Sequence, residues 1–239
     1  MSKDRNYKVY NFQNYVFGVI FLVTLNFIGI LICVYFLLGL NLIKIINVEG
    51  NREVPSQDII NASGLRTNDS VFQIFTDQKK IRGKVKKKIP QINQISIELH
   101  NFNHADIEVT EFGVVGYIQV KNHFRKVFTN GEVDYHLRSK THENRPIFDQ
   151  FSSKKEISQI AEIYQKIPPA VRSNISEIKL THSKVNPNQI IINMNDGNVV
   201  IGDLTTIKDK IADYSFLIKG KKGKLIIDLE VGIFVRSVK

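Results

Sequence analysis

The sequence is poorest in the residues from which reactive centres are built. A single cysteine, Cys33, stands in 239 residues, which excludes an intrachain disulfide framework and a zinc cluster built on thiolates. No G-x-G-x-x-G or Walker A loop occurs, so the two familiar phosphate cradles are missing. Ser63-Gly64, within NASG, lacks the G-x-S-x-G pattern of a nucleophile elbow. His142-Glu143 has no second histidine to complete H-E-x-x-H. His100 and His104 in HNFNH are four residues apart, but they fall between two strand-like segments. No third ligand accompanies them, and a zinc site takes three or four. Acid pairs such as Glu108 and Glu111 occur in any chain of this size and carry no weight. The expectation is a protein that is not an enzyme, with no catalytic, cofactor-binding or metal-binding residues. Acidic residues are also in short supply, 23 against 33 Lys and Arg, for a net charge of +10. Such a balance steers a protein toward something anionic: nucleic acid, lipid head groups or wall polymers.

What the chain has in abundance is one apolar run. From Val16 to Leu40 it reads VFGVIFLVTLNFIGILICVYFLLGL, without a charged residue and with Thr24 and Asn26 as the polar interruptions. At about 1.5 Å per residue, a helix of this length exceeds a hydrocarbon core of about 30 Å. A cleaved signal peptide fits less well, because the run is too long and no A-x-A-like site follows. A single-pass anchor over 16–42 is expected, with 1–15 as a short tail. Lys3, Arg5 and Lys8 precede it, whereas Lys44 and Arg52 after it mix with Glu49 and Glu53. This slight excess puts the N-terminus in the cytoplasm and the remainder outside. Gly18, Asn26, Gly29 and Gly39 form no G-x-x-x-G pair, so the span reads as a plain anchor.

After the span the pattern is strand, helix, helix, strand, strand. LIKIINV (Leu42–Val48) alternates as a strand and Gly50-Asn51 turns it. A helix follows over Ser56–Ser63, with Asp58 in its first turn and Gly64 at its stop. A second helix is expected over Asp77–Ile89, carrying Ile81, Val85 and Ile89, and ended by Pro90. Two strands then run through Ile95, Ile97 and Leu99, and through Ile107 and Val109. This β-α-α-β-β module occupies 43–112. The segment 113–235 reads as a larger, mostly antiparallel β domain with two helices, followed by a tail over 236–239. Its strand candidates are VVGYIQV, then HFRKVFT and EVDYHL joined by an Asn130-Gly131 hairpin turn. Ile175–Thr181, Gln189–Met194 and Val199–Ile201 continue the series, with the last two joined at Asp196-Gly197. Its helices are Lys154–Ile167, stopped by Pro168-Pro169, and Thr205–Ile218. KGKKGK leads to a last strand, LIIDLEV (Leu225–Val231). The fold class is therefore α+β behind one transmembrane helix.

Taken in order, INVEGNREVPSQDIINASGL, KKIPQINQISIEL, DIEVTEFGVVGYI, FTNGEV, the PIF at Pro146, NMNDGNVVIG and IIDLEVG carry a resemblance. The chain resembles the FtsQ/DivIB family of bacterial cell-division proteins, most closely the DivIB form of Gram-positive bacteria. The resemblance implies that the β-α-α-β-β module is a POTRA domain. It also implies a non-enzymatic divisome protein at the septum, working outside the cytoplasmic membrane. It would associate there with FtsL and DivIC (the FtsB counterpart) and help control septal peptidoglycan synthesis. The sequence departs from the family in its very short cytoplasmic tail and in the near absence of chain after the last strand.

Two segments are candidate docking surfaces. In KKIRGKVKKK, Ile81 and Val85 keep the helical period while Lys79, Lys80, Arg82, Lys84, Lys86, Lys87 and Lys88 fill other positions. One reading is the solvated face of a packed helix. The other is contact with anionic lipid or wall polymer. Nucleic acid is not expected, since no aromatic stacking set accompanies the charge. The second segment is LIIDLEVGIFV, which alternates poorly. If it lay at an open sheet edge it would accept a partner strand by β-augmentation. The resemblance implies that the DivIC-type partner docks there. The expected contact residues are Ile227, Asp228, Leu229, Glu230 and Val231, with Phe234 and, on the preceding helix, Tyr214. An extracytoplasmic ligand-binding or sensor module on a single-pass anchor is the alternative function. A POTRA-containing transport factor is weakened, because no transmembrane β-barrel segment follows.

Overall fold

The computed structural model describes the backbone of residues 3–101, 103–141 and 145–237, and side chains from Tyr15 onward within those ranges. His142-Glu143 and the ends of both expected tails lie outside the described residues.

The first helix, α1 (Lys3–Leu37), contains one segment, Tyr15–Leu37, long and apolar enough to cross a membrane. It stops five residues short of the expected end at position 42. Backbone N–H groups of Leu38, Gly39 and Leu40 fold back onto Val34, Phe36 and Tyr35, closing the helix in a turn. Hydropathy marks where a chain is apolar, not where its helix ends.

By contacts the chain divides into two compact units, 1–84 with 95–109, and 85–94 with 110–239. A three-stranded sheet is built from β1 (Ile45–Glu49), β2 (Ile92–His100) and β3 (His104–Glu111), in the order β1-β3-β2. β1 runs parallel to β3, from Ile45 opposite His104 to Glu49 opposite Glu108. Between β1 and β2 lie α2 (Ser56–Ser63) and α3 (Val71–Lys88). Gly64 ends α2 in the left-handed region, at φ +76°, and its N–H donates to Ile60 O at 3.1 Å. Glycine adopts that conformation without the Cβ penalty other residues incur. The core of the first unit includes Ile43, Ile59, Ile74, Ile81, Ile97 and Ile107. α3 begins six residues earlier than expected: Ile74, one heptad before Ile81, extends the buried stripe, and Asp77 lies inside the helix.

The second unit contains an eight-stranded sheet, in the order β11-β10-β9-β8-β7-β6-β4-β5. Its strands are β4 (Val114–Val120), β5 (His123–Phe128), β6 (Ile147–Asp149), β7 (Ile175–Leu180), β8 (Gln189–Met194), β9 (Val199–Asp203), β10 (Leu225–Asp228) and β11 (Phe234–Ser237). Four of the pairings are antiparallel (β10–β11, β4–β5, β7–β8, β8–β9). Three are parallel (β9–β10, β4–β6, β6–β7), and these no hairpin signal could announce. The three-residue β6 is too short to carry a readable alternation, yet it bridges β4 and β7.

The helices of this unit are α4 (Lys154–Lys166), α5 (Pro169–Arg172), α6 (Ile207–Lys210) and α7 (Tyr214–Ile218). α4 opens with a capping box: Ser153 Oγ accepts from Glu156 N–H at 3.1 Å, and the Glu156 carboxylate accepts Ser153 N–H at 3.0 Å. Those backbone donors, from Ser153 and then Ser152, hold the Glu156 carboxyl below the usual carboxylate range. After Pro168, where a stop was expected, Pro169 opens the extra turn α5, its missing N–H costing nothing at a first helical position. The expected helix over Thr205–Ile218 is broken by a 3-10 turn at Ile211–Asp213. Ile207, Ile211 and Tyr214 are nonetheless all buried. The helices and sheet enclose a core that includes Phe148, Phe151, Ile160, Tyr164, Ile178, Ile192, Ile211 and Ile227.

Candidate functional site

The end of the chain does not lie as its pattern suggests. The expected strand over Leu225–Val231 stops at Asp228, and the chain turns through residues 229–233 and returns as β11. β10 is therefore paired on both sides, parallel to β9 and antiparallel to β11, with Ile227 opposite both Val200 and Val235. The expectation of an open edge at Ile227–Val231 is corrected: the open edge is β11, which among the described residues pairs with β10 alone.

The turn between the strands is held from several sides. Asp228 Oδ1 accepts Glu230 N–H at 3.0 Å. Lys210 Nζ donates to Leu229 O and Glu230 O, each at 2.9 Å. The Glu230 carboxylate accepts from Asn186 Nδ2 at 2.7 Å and Gln189 Nε2 at 2.9 Å. Glu230 and Asp228 thus shape the turn, and Ile227 and Leu229 are fully buried beneath it. What remains accessible is Val231, 92% exposed, and Phe234, 67% exposed. Ile233, at 52%, and Phe216, at 78%, are accessible apolar residues that pattern reading passed over. Isolated apolar residues in a turn or short helix carry no period to mark them.

Tyr214 belongs to the core, not to a contact surface, with 2% of its area exposed. Its Oη donates to the Asp196 carboxylate, 2.8 Å from Oδ2, and accepts from Asn198 Nδ2 at 2.9 Å. Asn198 Oδ1 in turn accepts the N–H of Leu225, where β10 begins. The D-G-N turn after β8 therefore ties α7 to β10 through one phenol. Burial, assisted by the Asp196 carboxylate and opposed by the Asn198 amide, pushes this phenol far above its ordinary range. We expect Tyr214→Phe to cost about 1–3 kcal/mol, the penalty for stranding a buried polar partner, read as a lowered urea midpoint. A midpoint equal to wild type would mean that the phenol ties nothing together.

The opposite edge of the sheet is closed. EVDYHL, expected as a strand, is an arm that touches β5 through isolated bridges, Val127–Val133 and Phe124–Arg138. Phe124 and Arg138 exchange N–H···O bonds at 2.8 and 2.9 Å, Asp134 N–H donates to Lys126 O, and Phe128 N–H donates to Glu132 O. Asp134 bends the arm by accepting His136 N–H at 3.1 Å. Burial acts to raise the Asp134 carboxyl, but His136, through backbone and ring, and Arg138 hold it below its usual range. A valine at that position would suit a strand; the aspartate side chain competes for backbone N–H groups and turns the chain instead.

On α3, Lys79, Lys80, Arg82, Lys84, Lys86, Lys87 and Lys88 are all exposed, while Ile74, Ile81 and Val85 are buried. Arg82 donates to Gln78 Oε1 at 2.6 Å, and among the described residues none of the seven has an acidic partner within 4 Å. His100 and His104 end β2 and begin β3, and His100 Nε2 lies 3.2 Å from the Glu98 carboxylate.

Residues 41–112 match the family model described as POTRA domain, FtsQ-type, and residues 116–230 match that of cell division protein FtsQ/DivIB, C-terminal. The chain is 35% identical over 202 residues to the cell division protein DivIB of Lacticaseibacillus rhamnosus, covering 84% of this chain and 71% of that protein. Against DivIB of Ligilactobacillus salivarius it is 35% identical over 218 residues, covering 90% and 76%. Against DivIB of Enterococcus faecalis it is 30% identical over 234 residues, covering 98% of this chain but 61% of that protein. A solved structure, the major extracytoplasmic domain of the trans isomer of DivIB from Geobacillus stearothermophilus, overlaps 47% of this chain and 99% of its own. Its TM-score is 0.42 at 19% identity, a likeness too slight to carry weight for fold or function.

Proposed function

Because this chain belongs to the FtsQ/DivIB family of cell-division proteins, we propose that it is a non-enzymatic, membrane-anchored scaffold of the divisome. It holds FtsL and DivIC, the FtsB-like partner, outside the cytoplasmic membrane at the septum and helps control septal peptidoglycan synthesis. Residues 1–15 are its cytoplasmic tail and 16–42 carry the span. The POTRA domain takes 43–112 and the β domain runs from 113 through β11, so the expected boundary at 235 with a tail over 236–239 is moved, since Arg236 and Ser237 pair with Ile226 and Leu225. The exposed cations of α3, Lys79 through Lys88, face lipid or wall anions.

The observation that carries the partner site is the asymmetry of the sheet. β5 is screened by its arm, whereas β11 offers an unpaired row of backbone donors and acceptors beside exposed Val231, Ile233 and Phe234. An edge strand in that condition accepts another strand, its backbone giving affinity and neighbouring side chains selectivity. Of the seven residues named from sequence, Phe234 and Val231 touch the partner. Asp228 and Glu230 shape the turn that presents them, and Ile227, Leu229 and Tyr214 support it from the core.

Alternate residues of an edge strand aim their N–H groups outward, so of two adjacent prolines one must delete an outward donor. Phe234→Pro and Val235→Pro, made singly in the full-length protein, are therefore expected to differ. At least one should lose capture of the DivIC-type partner about tenfold or more while its urea midpoint stays near wild type. Undiminished capture by both variants rules the edge out.

A further inference from the structure

The geometry points to a second membrane contact besides the span: the start of α3 lies in the lipid interface, with Phe72 and Phe75 as apolar anchors and Lys79 and Arg82 on anionic head groups. This rests on reading α1 as a membrane anchor and the α3 cations as an anion contact, and it selects lipid as the anion.

Three observations inside the first unit lead there. The chain that leaves α1 is stitched to the residues that open α3. Ile43 N–H donates to Asp69 O at 2.9 Å, Asn68 N–H to Ile43 O at 2.7 Å, and Val71 N–H to Asn41 O at 2.9 Å, with Leu42 bridged to Ser70. The candidate span ends at Leu37, so residues 68–71, which lead into α3, are bound to chain four to six residues beyond it. Phe72 and Phe75 then stand 76% and 67% exposed, although large aromatic rings normally find cover. Phe72, Phe75, Lys79 and Arg82 follow one another at spacings of three, four and three residues, which sets them along one stripe of the helix. Ile74 and Ile81 occupy a different face and are buried.

A stripe with aromatic residues at the end fixed beside a span, and cations beyond them, matches the graded polarity of a membrane surface. Each basic side chain near an anionic leaflet strengthens attraction about fivefold, so Lys79 and Arg82 together supply a substantial bias. Lys44 and Arg66, exposed on the same stitched segments, add to it. A soluble wall polymer would satisfy the cations but leaves the two phenylalanines without a reason to be exposed.

The chain contains no tryptophan, so one introduced indole reports alone. Full-length Phe72→Trp, Phe75→Trp and, as a control on the same helix but off the stripe, Gln73→Trp are reconstituted into vesicles of phosphatidylcholine and phosphatidylglycerol. Flotation establishes insertion for each, and emission is compared with and without acyl-brominated lipid. At an interfacial depth of about 5–10 Å, the indoles at 72 and 75 should lose at least half of their emission, while that at 73, turned away from the stripe, is quenched less. Adding Lys79→Glu and Arg82→Glu to Phe75→Trp should reduce the quenching in vesicles containing phosphatidylglycerol. Quenching at 72 and 75 no greater than at 73 in floated protein overturns the proposal. So does equal quenching with and without phosphatidylglycerol, which removes the anionic lipid. Unquenched indoles together with retention on purified anionic wall polymer overturn it in favour of the wall. Partner capture through β11 is read separately on unlabelled protein, so either reading can fail alone.

Discussion

Phe148→Ala should destabilise the β domain by about 3–5 kcal/mol, the usual cost of removing a buried aromatic ring. Phe148 is 1% exposed and sits in the three-residue strand β6. Its ring meets Phe151 edge-on at a centroid distance of 6.1 Å and Tyr164 of α4 at 5.9 Å. Such edge-to-face pairs add about 0.5–1.5 kcal/mol each beyond area burial. The ring also fills the space above Gly116 of β4, where an added Cβ would stand 2.6 Å from Phe148 Cε2. One side chain thus locks three strands and a helix, because β6 lies between β4 and β7. A domain with the usual net stability of about 5–15 kcal/mol would lose much of it. Urea unfolding of the full-length protein in detergent measures the loss, with Phe148→Leu as a milder comparison. A loss under about 1 kcal/mol would show that the ring is not the keystone its contacts suggest.

Gly131→Ala should cost about 2–5 kcal/mol, combining a left-handed backbone penalty with overpacking. Gly131 has φ +78°, and a Cβ there would approach Ser158 of α4 at Cα within 2.6 Å and at Cβ within 2.9 Å. The obstacle is helix backbone, which cannot swing aside as a long side chain could. Asn130→Ala, which removes the acceptor for Glu132 N–H at 3.0 Å, should lose far less. Equal losses for the two would locate the requirement in the turn alone and not in the close approach of α4.

Asn130-Gly131 also marks how far the sequence could be read. The turn was visible because its residues are chosen by their own backbone, and the same holds for Gly64 and for the buried stripe of α4. The β-α-α-β-β order and the β8–β9 hairpin at Asp196-Gly197 were legible for that reason. What followed Gly131 was not, because Asp134 spends its carboxylate on local N–H groups and turns an alternating segment into an arm. Parallel neighbours were invisible wherever a strand pairs with one distant in sequence, as β10 does with β9 and β6 with β7. The candidate edge was misplaced by one strand because the break after Asp228 is made by groups far along the chain: Lys210, Asn186 and Gln189. Periodicity found Tyr214 and Leu229 but could not say whether an apolar side chain faces a core or a partner. The structure separates them by exposure.

The arm along β5 has a consequence for assembly size. A sheet open at both borders can add copies of itself without limit, since each addition renews the border it consumed. Here one border is spent on the chain's own residues 132–138, through the Phe124–Arg138 and Val127–Val133 bridges. Two copies meeting through β11 would leave no open border on either eight-stranded sheet, so growth through that sheet would stop. In the eight-stranded sheet, edge pairing is thereby limited to one border, β11, and to one added strand per copy.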